Sequence, residues 1–300
     1  MDKKRVIALG FFDGVHLGHI ELMKRAYDIS SISNYKSLVP SVTTFDTHPL
    51  TVLHEKEVPL INSSEDRAWL IRTICGINDT LILHFDKKTA EMNWDEFLRI
   101  LSFEFGAEYI IAGEDYKFGK DGIGNSLLLK DKCNELGIGC DIIPEVKVDG
   151  VSVSSTIIRD LLIKGDILKA NRMLGHPHIL TDTVRYGFHL GSKLGTPTIN
   201  MLFGDGVLIP KNGVYATKIY IESSPCAIGV TNIGARPTVD DSGKITAETH
   251  ILDFRGNLYG RKVRIEFHDY IRSEKKFDSL EELKNQIQDD CKTARELFVD

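Results

Sequence analysis

Residues 6–20 read VIALGFFDGVHLGHI. A short apolar run, VIAL, is followed by two glycines, an aspartate and two histidines three residues apart. The run predicts a buried strand, Gly10 and Gly14 a sharp turn that lets backbone approach a ligand closely, and the remainder a helix near residues 18–30. A helix start directly after a strand presents N–H groups and the positive end of its dipole to an anion. His16 and His19, at i and i+3, are expected one turn apart on one helix face, where both imidazoles donate to the same phosphoryl oxygens. Taken alone, such a pair reads first as a capped helix with two half-exposed histidines.

The chain beyond this turn raises the phosphate reading. VPSVTTF (39–45), TLILHF (80–85), YIIAG (109–113) and GCDIIPEV (139–146) read as further strands. Between them, helices are opened by Ser63 with Asp66 and by Asn93 with Glu96, and NSLLLKDKCNELG forms another that ends at Gly137. Strands alternating with helices imply βαβ units and a parallel sheet covered on both faces. Such sheets bind ligands at the carboxyl ends of their strands, which is where GFFDGVHLGH falls. SSTIIRDLLIKGDILKANRMLG (154–175) reads as two short helices broken at Lys164-Gly165-Asp166. After GHPHIL (175–180) the texture changes. TDTVRYGF, GVYATKIYI, CAIGVTNIG, ITAETHIL and KVRIEF are β-type runs separated by turn residues, which predicts an antiparallel, barrel-like domain. SLEELKNQIQDDCKTARELF then closes the chain as a helix opened by Ser279 with Glu282.

Composition narrows the function classes. The 300 residues carry 37 Lys+Arg against 43 Asp+Glu, a formal charge of −6, which speaks against a nonspecific nucleic-acid binder. The five cysteines are scattered and never spaced as CxxC, so neither a structural zinc site nor a disulfide framework is expected, and a reducing, cytoplasmic setting is. No apolar run reaches the roughly 18 residues of a membrane span. Length suits two domains, divided at 178/179.

GFFDGVHLGH resembles the nucleotide-binding turn of the prokaryotic bifunctional riboflavin kinase/FAD synthetases, which bind ATP through an HxGH motif. TTFDTHPLTVL (43–53) is similar to the second motif of that family, AGEDYKFGKDGIGN (112–125) to its glycine-rich flavin loop, and VSSTIIRDLLIKGDILKANRMLGHP (153–177) to its SSTxIR motif. GSKLGTPTIN (191–200), GVYA (213–216), GVTNIGARPTV (229–239), ETHILDFRGNLYG (248–260) and HDYIRSEKKFDSLEELKNQI (268–287) resemble its riboflavin kinase module. The resemblance covers essentially the whole chain. It implies an α/β plus β architecture: a Rossmann-like nucleotidyltransferase domain over residues 1–178, and an antiparallel β-barrel kinase domain with a terminal helix over 179–300.

The implied reactions are phosphorylation of riboflavin to FMN in the second domain and adenylylation of FMN to FAD in the first, both consuming ATP with Mg²⁺. For adenylyl transfer, the resemblance assigns His16 and His19 to the ATP phosphates, with the backbone of Gly10, Phe11 and Gly14 beside the nucleotide. Ser154, Ser155, Thr156 and Arg159 form a second phosphate clamp, hydroxyls at a helix start followed by a fixed-charge fork. Phe45, Asp115, Lys117 and Phe118 are its flavin-side candidates; Lys117 adds a charge where the family carries a small polar residue. In the kinase, Glu248 is the matching general base for the ribityl hydroxyl. Thr198 and Asn200 alternate in an extended segment and serve as hard oxygen ligands for Mg²⁺ and its phosphates. Gly191, Lys193 and Gly195 form a basic flap over the ATP phosphates. Thr196 replaces an aromatic residue usual in the family, which implies an altered flavin affinity. Read without their surroundings, SSTIIR is equally an N-cap cluster with a solvated arginine, and Glu248 a solvent-facing strand residue.

The implied partners are small molecules, with no nucleic acid or membrane, in a monomer or weak homo-oligomer. Two other readings stay open at this level: a flavin or nucleotide sensor without turnover, and an enzyme with only one of the two activities. A silent sensor is expected to lack at least one of His16, His19, Thr198, Asn200 or Glu248, and all are present.

Overall fold

The structure, a computed structural model, describes residues 3–32, 37–55, 57–185, 197–222, 225–235 and 245–299. The chain divides into two compact units, Met1–Ser155 and Thr156–Asp300.

The first unit is built on a parallel sheet of β1 (Arg5–Leu9), β2 (Val39–Phe45), β3 (Asp79–Leu83), β4 (Ala107–Gly113) and β5 (Gly139–Ile143) in the order β3-β2-β1-β4-β5. β1 lies in the middle, paired through Leu9 with Thr43 on one side and through Ala8 with Ile111 on the other. A central strand covered on both faces has no polar side, and Val6, Ile7, Ala8 and Leu9 are accordingly all buried. The strand order reverses beside β1, so the crevice at its carboxyl end is the binding position of this architecture.

The helices follow the chemistry of their ends and faces. α1 (Leu17–Ser31) buries Leu22, Met23, Ala26 and Ile29, a stripe at helical spacing. Two short helices follow β2 and β3: α2 (Pro49–His54) comes before α3 (Ser64–Cys75), and α4 (Lys87–Ala90) before α5 (Trp94–Phe103). Ser63 caps α3 by accepting from the Asp66 N–H, and Asn93 caps α5 by accepting from Asp95. α6 (Ser126–Leu136) starts on Asn125, which accepts from Leu127 and Leu128. It ends in a Schellman turn, with Ile138 donating to the Cys133 carbonyl across Gly137 at φ 72°. A small hairpin, β6 (Lys147–Val148) with β7 (Val151–Ser152), precedes the division between the units.

The second unit begins one residue into α7 (Ser155–Lys164), which is followed by α8 (Ile167–Leu174) after a break at the expected Gly165. Its sheet is antiparallel and six-stranded, comprising β8 (His178–Thr183), β9 (Thr198–Leu202), β10 (Gly213–Ile221), β11 (Ala227–Ala235), β12 (Ile245–Ile251) and β13 (Lys262–Arg272). The order is β8-β13-β10-β11-β12-β9, and the edge strands curl toward each other until the Arg185 N–H reaches the Asn200 carbonyl at 2.9 Å. One face carries a buried hydroxyl chain, Thr217 to Thr231 at 2.9 Å and Thr231 to Thr249 at 2.8 Å, so three polar side chains are satisfied without water. The other face holds Val214, Ala216 and Val230 against Cys291 and Ala294 of the terminal helix α9 (Leu280–Leu297).

His178, at the start of β8, is 1% exposed and neither ring nitrogen has a hydrogen-bond partner. Burial, reinforced by His176, pushes its pKa down to about 3. Between pH 6.5 and 3 the unfolded chain therefore binds a proton that the folded unit refuses. Stability is expected to fall by about 1.4 kcal/mol per pH unit through that window on this account. His178→Leu should flatten this acid limb in urea titrations; an unchanged pH dependence would contradict the assignment.

Candidate active sites

At the end of β1 the chain makes a tight left-handed excursion. Phe12 (φ 61°) and Val15 (φ 45°) both occupy the left-handed region, which is rare for a bulky residue and rarer for a β-branched one. Such conformations persist where surrounding contacts over-determine them. The Phe11 carbonyl accepts from Thr44 Oγ1 at 2.8 Å and from Arg67 Nη1 at 3.1 Å, and the Asp13 carbonyl accepts from Ser155 Oγ at 2.9 Å. Asp13 Oδ1 takes the Ile61 N–H at 2.9 Å. Arg67 also reaches the Phe45 carbonyl at 3.3 Å and stacks its guanidinium 4.3 Å over the Phe11 ring. A buried arginine thus ties the turn after β1 to the end of β2.

His16 does not lie on the helix, as the sequence spacing had implied. It is the N-cap of α1, with extended backbone, and its Nδ1 accepts from the His19 N–H at 3.4 Å. A cap needs non-helical dihedrals, and an imidazole acceptor can fill that place. The cap fixes a tautomer: with Nδ1 accepting, the proton of neutral His16 sits on Nε2. The two rings nevertheless come together, stacked with centroids 3.5 Å apart. His19 packs edge-on against Phe12, and its Nδ1 is buried without a partner. Burial first, then His16 and Arg67, hold the His19 pKa well below the ordinary histidine value, so this ring is neutral at pH 7.

Gly18, between the histidines, has a packing reason. A Cβ there would lie 3.3 Å from Nδ1 and Cε1 of His16. Gly18→Ala should favour the helix by about 0.5–1 kcal/mol while displacing the His16 ring by a few tenths of an ångström. The expected result is a higher unfolding midpoint together with FAD formation lowered about tenfold. A variant with parent activity would show that the ring position does not matter.

These residues line a polar cavity of about 510 Å³. Gly10, Phe11, His16, His19, Asp115, Lys117, Ser154 and Ser155 all face it, as do His48 and Glu145. Gly14 is buried in the turn behind it. Next to it is an apolar slot of about 250 Å³, walled by Phe45, Phe85, Met92, Phe97, Tyr116 and Phe118. Phe45 and Phe85 meet edge-on at 4.8 Å, and Phe118, though it touches the slot, is part of the core with Phe97 and Tyr116. Thr156 and Arg159 lie on α7, in the second unit.

In the second unit, antiparallel register sets three polar side chains in one row. Asn232 of β11 pairs with Glu248 of β12, and Glu248 with Asn200 of β9. Directly opposed residues share a face, so Glu248 sits between two amides. One step along, His250 opposes Thr198, and its Nδ1 donates to the Pro197 carbonyl at 3.0 Å. Glu248, Thr198, Asn232 and His250 line a cavity of about 280 Å³ on the face covered by α9. Its far side carries a bidentate ion pair, Arg272 Nε to Asp290 Oδ1 at 2.9 Å and Nη2 to Oδ2 at 2.7 Å, with Gln286 also donating to Asp290. A second cavity of about 360 Å³ lies among Pro197, Ile199, Phe254, Asn257 and Tyr259, and Thr198 borders both. Gly191, Lys193, Gly195 and Thr196 lie outside the described residues.

Sequence reasoning missed Asp13, Arg67 and His48 in the first unit and Asn232, Arg272 and Asp290 in the second. Arg67 left one usable signal: it shares the i, i+3, i+4 face of α3 with the buried Leu70 and Ile71. The Arg272–Asp290 pair joins β13 to α9 and leaves no local signature.

Among the described residues, no helix is long and apolar enough to cross a membrane. Residues 1–157 match the FAD synthetase family and residues 174–298 the riboflavin kinase family. The bifunctional riboflavin kinase/FMN adenylyltransferase of Listeria monocytogenes is 33% identical over 99% of this chain and 94% of its own. Its namesake in Pseudomonas fluorescens is 34% identical over 97% and 92%. A crystal structure from Streptococcus pneumoniae, described as a macrolide-efflux protein, superposes with a TM-score of 0.87 at 29% identity, covering 98% of this chain and 95% of that one. With both family domains present in order and full-length relatives above 30% identity, the chain belongs to the bifunctional riboflavin kinase/FMN adenylyltransferases.

Proposed function

We propose that adenylyl transfer takes place in the polar cavity of the first unit, and riboflavin phosphorylation beside Glu248 in the second. The observation that carries the first assignment is the convergence of His16, His19, Ser154 and Ser155 on one cavity with an aromatic slot alongside. FMN would place its ring system in the slot and its phosphate in the cavity. That phosphate attacks the α-phosphorus of ATP, a new P–O bond forms, and the bond to the β-phosphate breaks to release pyrophosphate. Little covalent work falls to the protein, so positioning and charge stabilisation supply the rate. His16 donates through Nε2, and His19, neutral and half-buried, faces the same phosphates from the wall of the cavity. Gly10 and Phe11 bring backbone to the nucleotide, Gly14 shapes the turn, and Thr156 and Arg159 are assigned to the ATP phosphates by their motif alone. Phe45, Asp115, Lys117 and Phe118 are assigned to the flavin.

In the kinase reaction Glu248 accepts the proton of the terminal ribityl hydroxyl as its oxygen attacks the γ-phosphorus of ATP, and ADP leaves. Asn232 and Asn200 are its cross-strand neighbours, and Asn232 Nδ2 donates to Glu274 Oε1 at 3.3 Å. Thr198 and Asn200 carry neutral, hard oxygen atoms on alternate residues, a donor set that would suit an Mg²⁺ ion keeping water and phosphate oxygens as its other ligands, with Thr198 facing the cavities and Asn200 buried and lining neither. When bound, that ion neutralises phosphate charge. Thr198 borders both cavities of the unit, as a residue between nucleotide and flavin would. Gly191, Lys193 and Gly195 are assigned to the flap over ATP. The functional division proposed is 1–178 for adenylyl transfer and 179–300 for the kinase, in a cytoplasmic monomer or weak homo-oligomer.

Incubating the protein with riboflavin, ATP and Mg²⁺ and separating the flavins by chromatography tests both halves. FMN and FAD should both accumulate; finding neither would favour a sensor without turnover.

A further inference from the structure

Leu50, Tyr116 and Lys117 border both the polar cavity and the apolar slot of the first unit, and so mark the seam between them. Only Lys117 among the three is charged. Of the described residues that face the polar cavity, it is also the only lysine or arginine, while Asp115 and Glu145 bring negative charge. Arg67 is spent on the carbonyls of Phe11 and Phe45. A cavity in which one phosphate attacks another has to hold several negative charges, and within this unit Lys117 is the fixed cation that faces them.

Its backbone is held on both sides. Tyr116 donates its N–H to the Gly113 carbonyl at 3.1 Å and stacks on the Phe118 ring. Phe118 and Gly124 exchange backbone hydrogen bonds at 3.3 and 2.9 Å. Tyr116 and Phe118 contribute to the core, whereas Lys117 between them is exposed. A fixed backbone therefore carries a compact ammonium on a flexible stem, at the level where an apolar ring would end and an anionic tail begin.

We infer that Lys117 reads the phosphate monoester of the flavin substrate and so separates FMN from riboflavin at the adenylyl-transfer cavity. This rests on the assignment of that cavity above. The flavin ring meets the slot whether or not it is phosphorylated; the lysine meets only the phosphorylated form.

Lys117→Met keeps the unbranched stem, one atom shorter, and removes the charge. For FAD formation, the KM for FMN should rise about tenfold, as for loss of one charge-assisted hydrogen bond, with kcat changed far less. The KM for ATP should stay within about twofold, as should the inhibition constant of riboflavin measured in a Glu248→Gln background where riboflavin is not phosphorylated, and Lys117→Arg should recover most of the loss. Thermal unfolding midpoints check that each variant is folded. An unchanged KM for FMN overturns the inference, and so does a parallel rise in the riboflavin inhibition constant, which would put the lysine on the ring. A rise in the KM for ATP instead would place it on the nucleotide. If the parent protein forms no FAD, the cavity assignment itself falls; if it does and the variant matches it, only the role of Lys117 falls.

Discussion

In the His19→Ala variant, FAD formation from FMN and ATP is expected to fall by about 10²–10³-fold, the usual effect of removing one donor aimed at developing charge. FMN formation from riboflavin should continue at the parent rate. The physical case rests on where the ring sits. It is half-buried, neutral and stacked on His16, and it lines the polar cavity. It shares that cavity with His16, Ser154 and Ser155, which sets the imidazole beside the phosphates on which charge develops. Alanine favours the helix more than histidine does, so loss of activity through unfolding of α1 is not expected. Steady-state rates of the two reactions, measured separately, check this. Retention of FAD formation within a few-fold would remove His19 from the chemistry.

Glu248→Gln is expected to do the reverse. Riboflavin phosphorylation should fall by about 10²–10⁴-fold, the range for a lost general base, while FAD still forms from supplied FMN. The amide is isosteric with the carboxylate and still fits between Asn232 and Asn200, so the row of polar side chains across β11, β12 and β9 is preserved. What disappears is the capacity to take a proton. If either substitution abolished both reactions in a folded protein, the two sites would not be independent.

The strands and helices, though not their order in the sheet, were legible where the sequence carried a period or a cap. VIAL, VPSVTTF and YIIAG became β1, β2 and β4, and Gly137 and Gly165 ended helices where glycine at positive φ is needed. The histidine pair was legible as a pair but not in its geometry, because a residue at i can either begin a helix or cap it, and the spacing is the same. Asp13 and Arg67 were hidden for a different reason. Their partners are backbone groups of distant residues, Ile61 for one and Phe11 and Phe45 for the other, and backbone partners leave no mark in a sequence. Glu248 was found through its motif, but its setting between two asparagines follows only from strand register. The two adjoining cavities of the first unit come from segments as far apart as Phe45 and Phe118, and only the fold brings them together.

The left-handed excursion at Phe12 and Val15 bears on how portable the nucleotide turn is. Those dihedrals are unfavourable for both residues, so the ten residues from Gly10 to His19 do not encode their own shape. They are kept in it by Thr44, Ile61, Arg67 and Ser155, contributed by four other parts of the chain. Grafted onto another parallel sheet, GFFDGVHLGH alone would relax into an ordinary strand-to-helix loop with its histidines turned apart. A transplant that holds the phosphate-facing form must carry the four anchors with it, which makes the functional unit of this motif a discontinuous set of residues.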